Sequence, residues 1–275
     1  MKYSNKYREW KPLTLKEFIV GIRETYMAKR FIMNNNIDEL LNKPRIQIVG
    51  LHHLFDDKIE NFRTVLEILS KNFEFISYSE AVNRILTSKI DKPYMAFTCD
   101  DGLKNNLNLS QILKEFNVSG CFFLVTSMIG EKDFAKVSQF SKKILNKSPS
   151  EFLDFSDIGM LLKDGHEIGS HSVTHPNFAE IDLNIIKKEL HDSLDFLTHY
   201  FGNINHFAWP YGGNRHFSEA AKKAVFEVGY SSCVSIESGF HEKGIKNYKD
   251  LILKRTHIDP AFRRYYVKYL LTRQY

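Results

Sequence analysis

Two adjacent carboxylates stand directly after an apolar run in this sequence. Phe97-Thr98-Cys99 leads into Asp100 and Asp101, and Gly102 follows. Successive side chains of a strand point to opposite faces, but at a strand end the backbone can turn and let both carboxylates reach one pocket. Gly102 would supply that turn. Two neighbouring acids are also typical of a helix N-cap or a loop turn, so this pattern alone does not assign a function.

Two histidines four residues apart form the second group. A predicted strand over residues 167–170 leads into His171, and His175 would return to the same side if the turn between them is helical. Two neutral imidazoles and one carboxylate leave coordination positions open for water, as in catalytic zinc sites. A chance pair of this spacing is common, but together with Asp101 it predicts an Asp-His-His site for a divalent metal. We expect Zn²⁺, with Co²⁺, Ni²⁺ or Fe²⁺ as alternatives.

A third group follows the apolar residues Phe207 and Ala208 at another predicted strand end. It reads Trp209-Pro210-Tyr211-Gly212-Gly213, in which the proline favours extended backbone and the glycines let the chain approach a ligand closely. The functional hypothesis is that these residues line a cleft and that the Tyr211 N–H points to a developing oxyanion. A structural turn around a core tryptophan is the alternative.

The last predicted strand ends at His257, and Arg255 precedes it by two residues on the same face. Parallel α/β folds place their active sites where the carboxyl ends of the strands meet. All four groups occupy such ends, so we expect them to converge. A histidine that is merely a surface residue remains the alternative for His257.

The elements that would position these groups alternate between short apolar runs and amphipathic stretches, which is the pattern of an α/β protein with a mainly parallel sheet. Residues 1–45 are predicted to form a helical N-terminal extension, with one long helix over 14–33, and residues 46–275 the catalytic domain. Residues 131–150 interrupt the alternation. They indicate an insertion in a loop that carries specificity.

The composition excludes several classes of protein. With 275 residues, 43% hydrophobic and 26% charged, the chain is neither a mini-scaffold nor disordered. The three cysteines lack CxxC spacing, so they predict buried free thiols rather than disulfides or a Cys-based zinc site. No run reaches the length of a membrane span, and the charged N-terminus does not resemble a signal peptide. We therefore expect a cytoplasmic protein.

Positive charge is concentrated at the two ends. Residues 1–45 hold ten Lys and Arg against five Asp and Glu, and residues 251–275 hold six against one. Solvated side chains on surface helices explain either end taken alone, and nucleic acid, anionic head groups or a phosphate-bearing substrate are partners such ends could attract. Of these we expect a phosphate-bearing carrier and peripheral membrane contact, and no nucleic acid.

The C-terminal tail is the segment that most directly suggests contact with a membrane surface. Asp259 and Pro260 predict an N-cap and a first turn, after which apolar and aromatic residues recur at three- and four-residue spacing, namely Phe262, Tyr265, Tyr266, Tyr269 and Leu270. Such a helix either packs on the domain or lies at a membrane interface with its cations on anionic lipid.

The motifs together resemble the polysaccharide deacetylases, the metal-dependent amidases of carbohydrate esterase family four. Its first motif, Thr-Phe-Asp-Asp-Gly, appears as residues 98–102, its second, His-Ser-x-x-His, as residues 171–175, its third as residues 209–212, and its fifth as His257. The resemblance covers residues 46–260. It implies a distorted, incomplete (β/α) barrel in which Asp100 is the general base, His257 the general acid, and Asp101, His171 and His175 the metal ligands.

The chain departs from the family pattern in two places. The third motif usually begins with an arginine that orients the base, and Ala208 stands there; we expect Arg255 to take over. The acid that pairs with the general-acid histidine has no evident counterpart. His53, at the end of the first strand, is predicted to join Trp209, Pro210, Gly212 and Arg255 in the substrate pocket.

The resemblance implies removal of an N-acetyl or N-formyl group from an amino sugar. Without a signal peptide we expect an intermediate of surface polysaccharide, lipopolysaccharide or capsule biosynthesis, carried on a nucleotide, lipid or glycan. Hydrolysis of a small amide, as by allantoinase-like relatives, is one alternative. A non-catalytic metal- or glycan-binding relic is the other, although a relic has no need of the base Asp100.

Overall fold

The computed structural model describes residues 2–245 and 252–273. Its strands are β1 (Arg45–Leu51), β2 (Glu74–Phe75), β3 (Pro93–Cys99), β4 (Gly120–Leu124), β5 (Glu167–Ser170), β6 (His206–Ala208), β7 (Ser232–Val234), β8 (Ile252–Leu253) and β9 (Thr256–His257). Its helices are α1 (Tyr7–Trp10), α2 (Leu15–Asn34), α3 (Ile37–Leu41), α4 (Ile59–Leu69), α5 (Tyr78–Leu86), α6 (Asn106–Glu115), α7 (Phe134–Phe140), α8 (Phe155–Lys163), α9 (Leu183–Phe201), α10 (Glu219–Val228) and α11 (Arg264–Leu271).

The strands form one curled parallel sheet. Their order is β8-β7-β6-β5-β4-β3-β1-β9, with β2 added beside β3. Only Lys254 and Arg255 separate β8, which pairs with β7, from β9, which pairs with β1. One short segment therefore joins the two ends of the sheet into a distorted, incomplete barrel. This confirms the α/β fold class expected from the sequence.

Side chains of the strands alternate between two apolar layers, as the two-residue period of a strand requires. On β1, Ile46 and Ile48 belong to the cluster inside the barrel, whereas Val49 and Leu51 pack with the surrounding helices. The same alternation on β3 puts Thr98, and Asp100 after it, on the inner side. Inward-facing positions near the strand ends are thus the ones that can reach a shared site.

The N-terminal segment has helices where the sequence predicts them. Helix α2 begins after Thr14, whose side chain accepts the Glu17 N–H while the Glu17 carboxylate accepts the Thr14 N–H. The first strand begins at Arg45, next to the predicted boundary, although the division into two domains itself stays a prediction. Tyr7 and Trp10 are buried, so the first turn of this segment packs against the barrel.

The tail helix begins later than the sequence predicts. Its N-cap is Arg263 rather than Asp259, because the Asp259 carboxylate accepts the Tyr7 hydroxyl and the Ala261 N–H instead of capping a helix. Helix α11 lies against α2, α3 and α4 and buries Val267, Tyr269 and Leu271. These contacts favour the packing interpretation of the tail. Residues 274 and 275 lie outside the described residues.

Two further expectations can be compared with the structure. The insertion at 131–150 forms α7 and a π-helical turn over Ser141–Leu145, and it carries Ile144, Leu145 and Lys147 back to the mouth of a cleft. Cys99, Cys121 and Cys233 are buried, and none of the three forms a disulfide, as expected. Across the described ranges, no helix combines the length and the apolar character needed to cross a bilayer.

Candidate active site

A cleft of about 260 Å³ opens at the carboxyl ends of the strands. It brings together the chemical groups that the sequence singled out, namely Asp100, Asp101, His171, His175, Trp209, Tyr211, Gly212, Arg255, His257 and His53. Pro210 is buried beside the cleft but does not line it. The convergence follows from the parallel topology, because every strand of such a sheet ends at the same edge.

Asp101, His171 and His175 form a compact group of potential metal ligands. The Nε2 atoms of both histidines lie 3.6 Å from Asp101 Oδ1, and one ligand atom from each residue lies within 4.8 Å of the others. The Nδ1–H of His171 donates to the Ala208 carbonyl at 2.8 Å, which leaves its Nε2 free to face Asp101. A backbone carbonyl that fixes the tautomer in this way is a common support for a metal-ligating imidazole.

The turn between the two histidines differs from the helical turn predicted. Ser172 and His175 have φ of 66° and 58°, in the left-handed region, and the Ser172 hydroxyl accepts the His175 N–H. The Glu189 carboxylate on α9 accepts the N–H groups of Val173 and Thr174. Hydrogen bonds to the turn, rather than helical spacing, therefore return His175 to the side of His171.

Backbone strain is concentrated at this cleft. Of seven described non-glycine residues with positive φ, four belong to it: Asp101, Ser172, His175 and Tyr211. Gly102 and Gly212 share that conformation, and a Cβ on Gly212 would also meet Ile236 at 2.9 Å. Such conformations persist only when the surrounding structure holds them, and they are enriched at functional sites.

The electrostatics of the triad fit a bound cation. Burial, and then the neighbouring Asp100, raise the pKa of Asp101 to about 8, and the opposing effects of Arg255 and Lys147 are too small to offset this. Burial lowers the pKa of His175 to about 3 and lowers that of His171, so both imidazoles are neutral. Neutral imidazoles and a buried carboxylate in need of a positive charge are what a divalent metal site requires.

Asp100 sits beside the triad in different surroundings. The Arg255 guanidinium donates from Nη1 to Asp100 Oδ1 at 2.8 Å and from Nη2 to Oδ2, and it also donates to Thr98 and to the Ser235 carbonyl. Burial alone would raise the pKa of Asp100, but Arg255 and His171 outweigh it and hold the pKa at about 2. Gly50 leaves space for this guanidinium, since a Cβ there would lie 3.0 Å from Arg255 Cδ.

His257 lines the same cleft and packs edge-on against His52, with ring centroids 5.0 Å apart. Burial lowers the pKa of His257 to about 4, partly offset by the nearby Asp259. Asp259 is itself buried, and His53 and the Tyr7 hydroxyl hold its pKa well below its usual range. Asp259 is thus the candidate for the acid that pairs with His257. Its position two residues after His257, just beyond the end of β9, could have indicated this from the sequence.

His53 belongs to an aromatic pocket that only the structure reveals. Its ring lies 4.4 Å from Trp10 and 5.4 Å from Tyr7 between centroids, and its Nε2 is 3.7 Å from Asp259 Oδ1. Trp10 and Lys11 come from the N-terminal segment and line the cleft. No local motif marks Trp10 and Lys11 as cleft residues. They lie far in sequence from the other cleft residues, so no characteristic spacing links them to the site.

The third motif supplies one wall of the cleft. Trp209 is buried and stacks on Phe217, with ring centroids 4.4 Å apart. Tyr211 is exposed and places its ring 4.8 Å from that of His175. Trp209 therefore belongs to the core and also lines the cleft. Tyr211 lies at the mouth of the cleft, beside His175 of the triad.

Comparisons with known proteins decide the family. Residues 87–232, more than half of the chain, match the family described as polysaccharide deacetylase. This chain belongs to the polysaccharide deacetylase family. A search among curated proteins found no match.

Solved structures of this family share the fold. The deacetylase PplD from Streptococcus pyogenes, in complex with acetate, matches with a TM-score of 0.64 at 17% identity over 82% of this chain and 96% of its own. IcaB from Ammonifex degensii matches with a TM-score of 0.64 at 14% identity over 79% and 93%. The BA0330 putative polysaccharide deacetylase from Bacillus anthracis gives 0.65 at 17% over 83% and 69%. At these identities the likeness concerns the fold.

The third motif of this chain begins with Ala208 where the resemblance predicts an arginine, and the structure shows how the space is used. Ala208 faces the inside of the barrel with Phe123 and Val234. The guanidinium that reaches Asp100 comes instead from Arg255, between β8 and β9. The ion pair expected from the spacing of Arg255 and His257 is present.

Proposed function

We propose that this protein is a metal-dependent amide hydrolase that removes an N-acetyl or N-formyl group from an amino sugar. The observation that carries the proposal is that an ionised Asp100 carboxylate, paired with Arg255, lies beside the Asp101-His171-His175 triad. The family supports deacetylation of a carbohydrate. The arrangement of a ligand triad with a separate, oriented carboxylate fits hydrolysis assisted by a metal.

Each group has a distinct part in that reaction. A divalent metal held by Asp101, His171 and His175, most simply Zn²⁺, would act as a Lewis acid that polarises the acyl oxygen and lowers the pKa of water. Asp100 accepts the proton of the attacking water, and Arg255 fixes the direction of its lone pairs. The Tyr211 N–H is the proposed donor to the tetrahedral oxyanion.

His257 is the proposed donor of a proton to the leaving amine. Since burial lowers its pKa to about 4, the imidazole is neutral before the reaction. The proton that Asp100 accepts from the attacking water must therefore pass to His257 through water before His257 can give it to the amine. Asp259 favours the charged imidazole, and Tyr7 and His53 keep Asp259 ionised. These contacts support a donor that becomes charged only during turnover.

Two lysines at the cleft support a substrate on an anionic carrier. Lys11 and Lys147 both line the cleft, and Lys147 lies over the Trp10 ring at 5.5 Å. Burial, and then repulsion from Lys11, lower the pKa of Lys147, as expected for two cations that share one opening. A phosphate bound between them would relieve that repulsion. The proposed substrates are nucleotide- or lipid-linked intermediates of surface polysaccharide, lipopolysaccharide or capsule synthesis, handled in the cytoplasm at the membrane face.

A relic without activity is disfavoured by the buried ion pair of Asp100 and Arg255. Removing an arginine from the third motif would leave Asp100 without a positive partner, yet this chain supplies one from another strand. A purely metal- or glycan-binding protein gains nothing from a buried, oriented carboxylate next to the ligands.

The proposal is tested by metal analysis and by release of acetate and formate from a panel of N-acyl amino sugars on nucleotide, polyprenyl-phosphate and neutral glycan carriers, with allantoin included. We expect stoichiometric divalent metal and turnover of at least one phosphate-linked sugar. Lys147→Ala should raise KM for that sugar about fivefold or more with little change in kcat, whereas Lys142→Ala, an exposed lysine of the same segment, should not. Bound metal without turnover of any panel member would contradict the function, and an unchanged KM in Lys147→Ala would contradict the carrier.

A further inference from the structure

Helix α2 carries the largest unexplained apolar surface of the described chain. Six of its side chains are between 51% and 84% exposed, namely Leu15, Phe18, Ile19, Ile22, Tyr26 and Met33. At 3.6 residues per turn these six positions fall within an arc of about 100°. Soluble domains rarely leave so continuous an apolar stripe in water, so this face has an occupant.

The opposite side of α2 accounts for its attachment to the domain. Ala28 is buried, Phe31 packs edge-on against Tyr269, and Glu24 accepts the Tyr266 hydroxyl, the last two contacts being made with α11. The first half of the helix has no buried residue. Helix α11 therefore covers the packed side of α2, and the apolar stripe is a separate surface.

Charge along the helix is sorted with respect to the stripe. Lys16, Arg23 and Arg30 follow one flank of it. Lys29, near the C-terminal end, lies over the Tyr265 ring of α11 at 5.8 Å. Both acids of the helix are on the other side, Glu17 in the N-terminal capping box and Glu24 against α11. An apolar stripe bordered by cations and free of acids is the pattern of a helix that lies in the interface of an anionic bilayer.

We propose that α2 is an interfacial helix that docks this protein on an anionic lipid bilayer. Its six apolar side chains enter the acyl boundary while its lysine and arginine side chains reach lipid phosphates. A second copy of the chain is a poorer occupant, because an antiparallel pairing of the same faces would bring the cationic flanks together and a parallel pairing would give those flanks no acidic partner. The docking does not depend on the proposed hydrolysis.

Docking in this way would place the cleft next to the lipid surface. Lys11 lines the cleft, and α2 begins four residues later at Leu15. The N–H and hydroxyl of Thr14 lower the pKa of Glu17 in the first turn, and Lys11 and Lys147 are close enough to lower it further. A sugar on a lipid carrier would then meet the cleft without leaving the bilayer.

Sedimentation of the full chain with vesicles tests the docking. We expect binding to vesicles of phosphatidylcholine with phosphatidylglycerol, weaker binding at high salt, and much weaker binding to phosphatidylcholine alone. Phe18→Ser with Ile22→Ser should lower binding at least about tenfold. Arg23→Gln with Arg30→Gln should lower it about twenty-fivefold, since each cation contributes about fivefold to partitioning. Met160→Ser with Ile185→Ser, which changes two exposed apolar residues on other helices, should bind like the unchanged protein.

An independent variant guards against a folding defect. In Ile19→Trp, the added tryptophan should shift its emission to shorter wavelength when anionic vesicles are added. Absence of that shift, or equal binding by the unchanged protein and Phe18→Ser with Ile22→Ser, would overturn the proposal. So would a dimer in solution that the same double substitution converts to monomer while no vesicle binding is seen. Vesicle binding is measured without turnover, so its failure is distinguishable from failure of the proposed function.

Discussion

Asp100 and Asp101 are adjacent in the chain, but their carboxylates meet opposite surroundings. Arg255 forms an ion pair with Asp100 and holds its pKa at about 2, although burial alone would raise that pKa. Asp101 turns away through a left-handed backbone, has no cation of its own, and has a pKa raised to about 8 by burial and by Asp100. The different surroundings of these two identical side chains support the two proposed tasks, an ionised base at Asp100 and a metal ligand at Asp101.

Substitution of these residues should separate metal binding from turnover. Asp101→Ala, His171→Ala and His175→Ala each remove one of three protein ligands and should lose stoichiometric metal in elemental analysis. Asp100→Asn keeps the ligands, so it should retain the metal while kcat falls by about 10²- to 10⁴-fold. Normal metal content in His175→Ala would remove it from the ligand set, and wild-type kcat in Asp100→Asn would rule out the base.

The ion pair of Asp100 and Arg255 should behave as a buried pair in stability as well. Arg255→Met leaves an uncompensated buried carboxylate and should lower the free energy of unfolding by about 3–5 kcal/mol. Asp100→Leu combined with Arg255→Met removes both charges and should recover part of that loss. Denaturant unfolding of the three proteins measures the difference. Equal destabilisation in the single and double variants would mean that the unpaired carboxylate is not what destabilises Arg255→Met.

Two short elements complete the cleft from distant parts of the chain. The β8–β9 segment closes the sheet and delivers both Arg255 and His257. Helix α1 delivers Trp10 to the cleft and the Tyr7 hydroxyl to Asp259 at 2.6 Å. The N-terminal segment therefore does two things: α1 takes part in the site, and α2 offers the apolar stripe to another surface.

Tyr7→Phe tests the contribution of α1. The change removes a hydrogen bond to a buried carboxylate, which should lower the free energy of unfolding by about 1.5–3 kcal/mol in denaturant titrations. If His257 depends on ionised Asp259, kcat should fall as well while metal content stays normal. Tyr26→Phe, at an exposed tyrosine of α2, is the matched control. A Tyr7→Phe protein with unchanged stability and kcat would contradict a role for α1.

The barrel as a whole buries histidines that lie outside the cleft. Burial lowers the pKa of both His206 and His241 to about 4. His206 exchanges hydrogen bonds with the Ser79 and Ser232 hydroxyls, and His241 Nε2 accepts the Lys254 N–H. Both imidazoles are therefore held neutral by the packing around the sheet.

These histidines predict a loss of stability in mild acid. The unfolded chain takes up protons as the pH falls below about 6.5, whereas the folded imidazoles resist until about 4. The unfolded state binds more protons in that window, so the free energy of unfolding should fall by about 2 kcal/mol per histidine between pH 7 and pH 5. His206→Gln should show a shallower dependence than the unchanged protein. An equal slope in both would show that His206 does not carry the effect.

The sequence by itself determined those features that depend on local patterns. The alternation of strands and helices, the span of α2, the two carboxylates, the histidine pair and the approach of Arg255 to Asp100 all depend on spacing within one or two elements. Parallel strands then bring their ends together whatever the detailed packing. The expected convergence of these groups at one edge of the sheet needed no further information.

Contacts between distant segments were decided only by the tertiary structure. The left-handed turn at Ser172 depends on Glu189 from α9, and Asp259 does not cap a helix because Tyr7 engages it from the other end of the chain. The apolar spacing of α2 predicts a helix but not which side is covered, and α11 covers the side with Ala28 and Glu24. Local spacing limits which residues can share a face, whereas burial and partners depend on what the rest of the chain packs against that face.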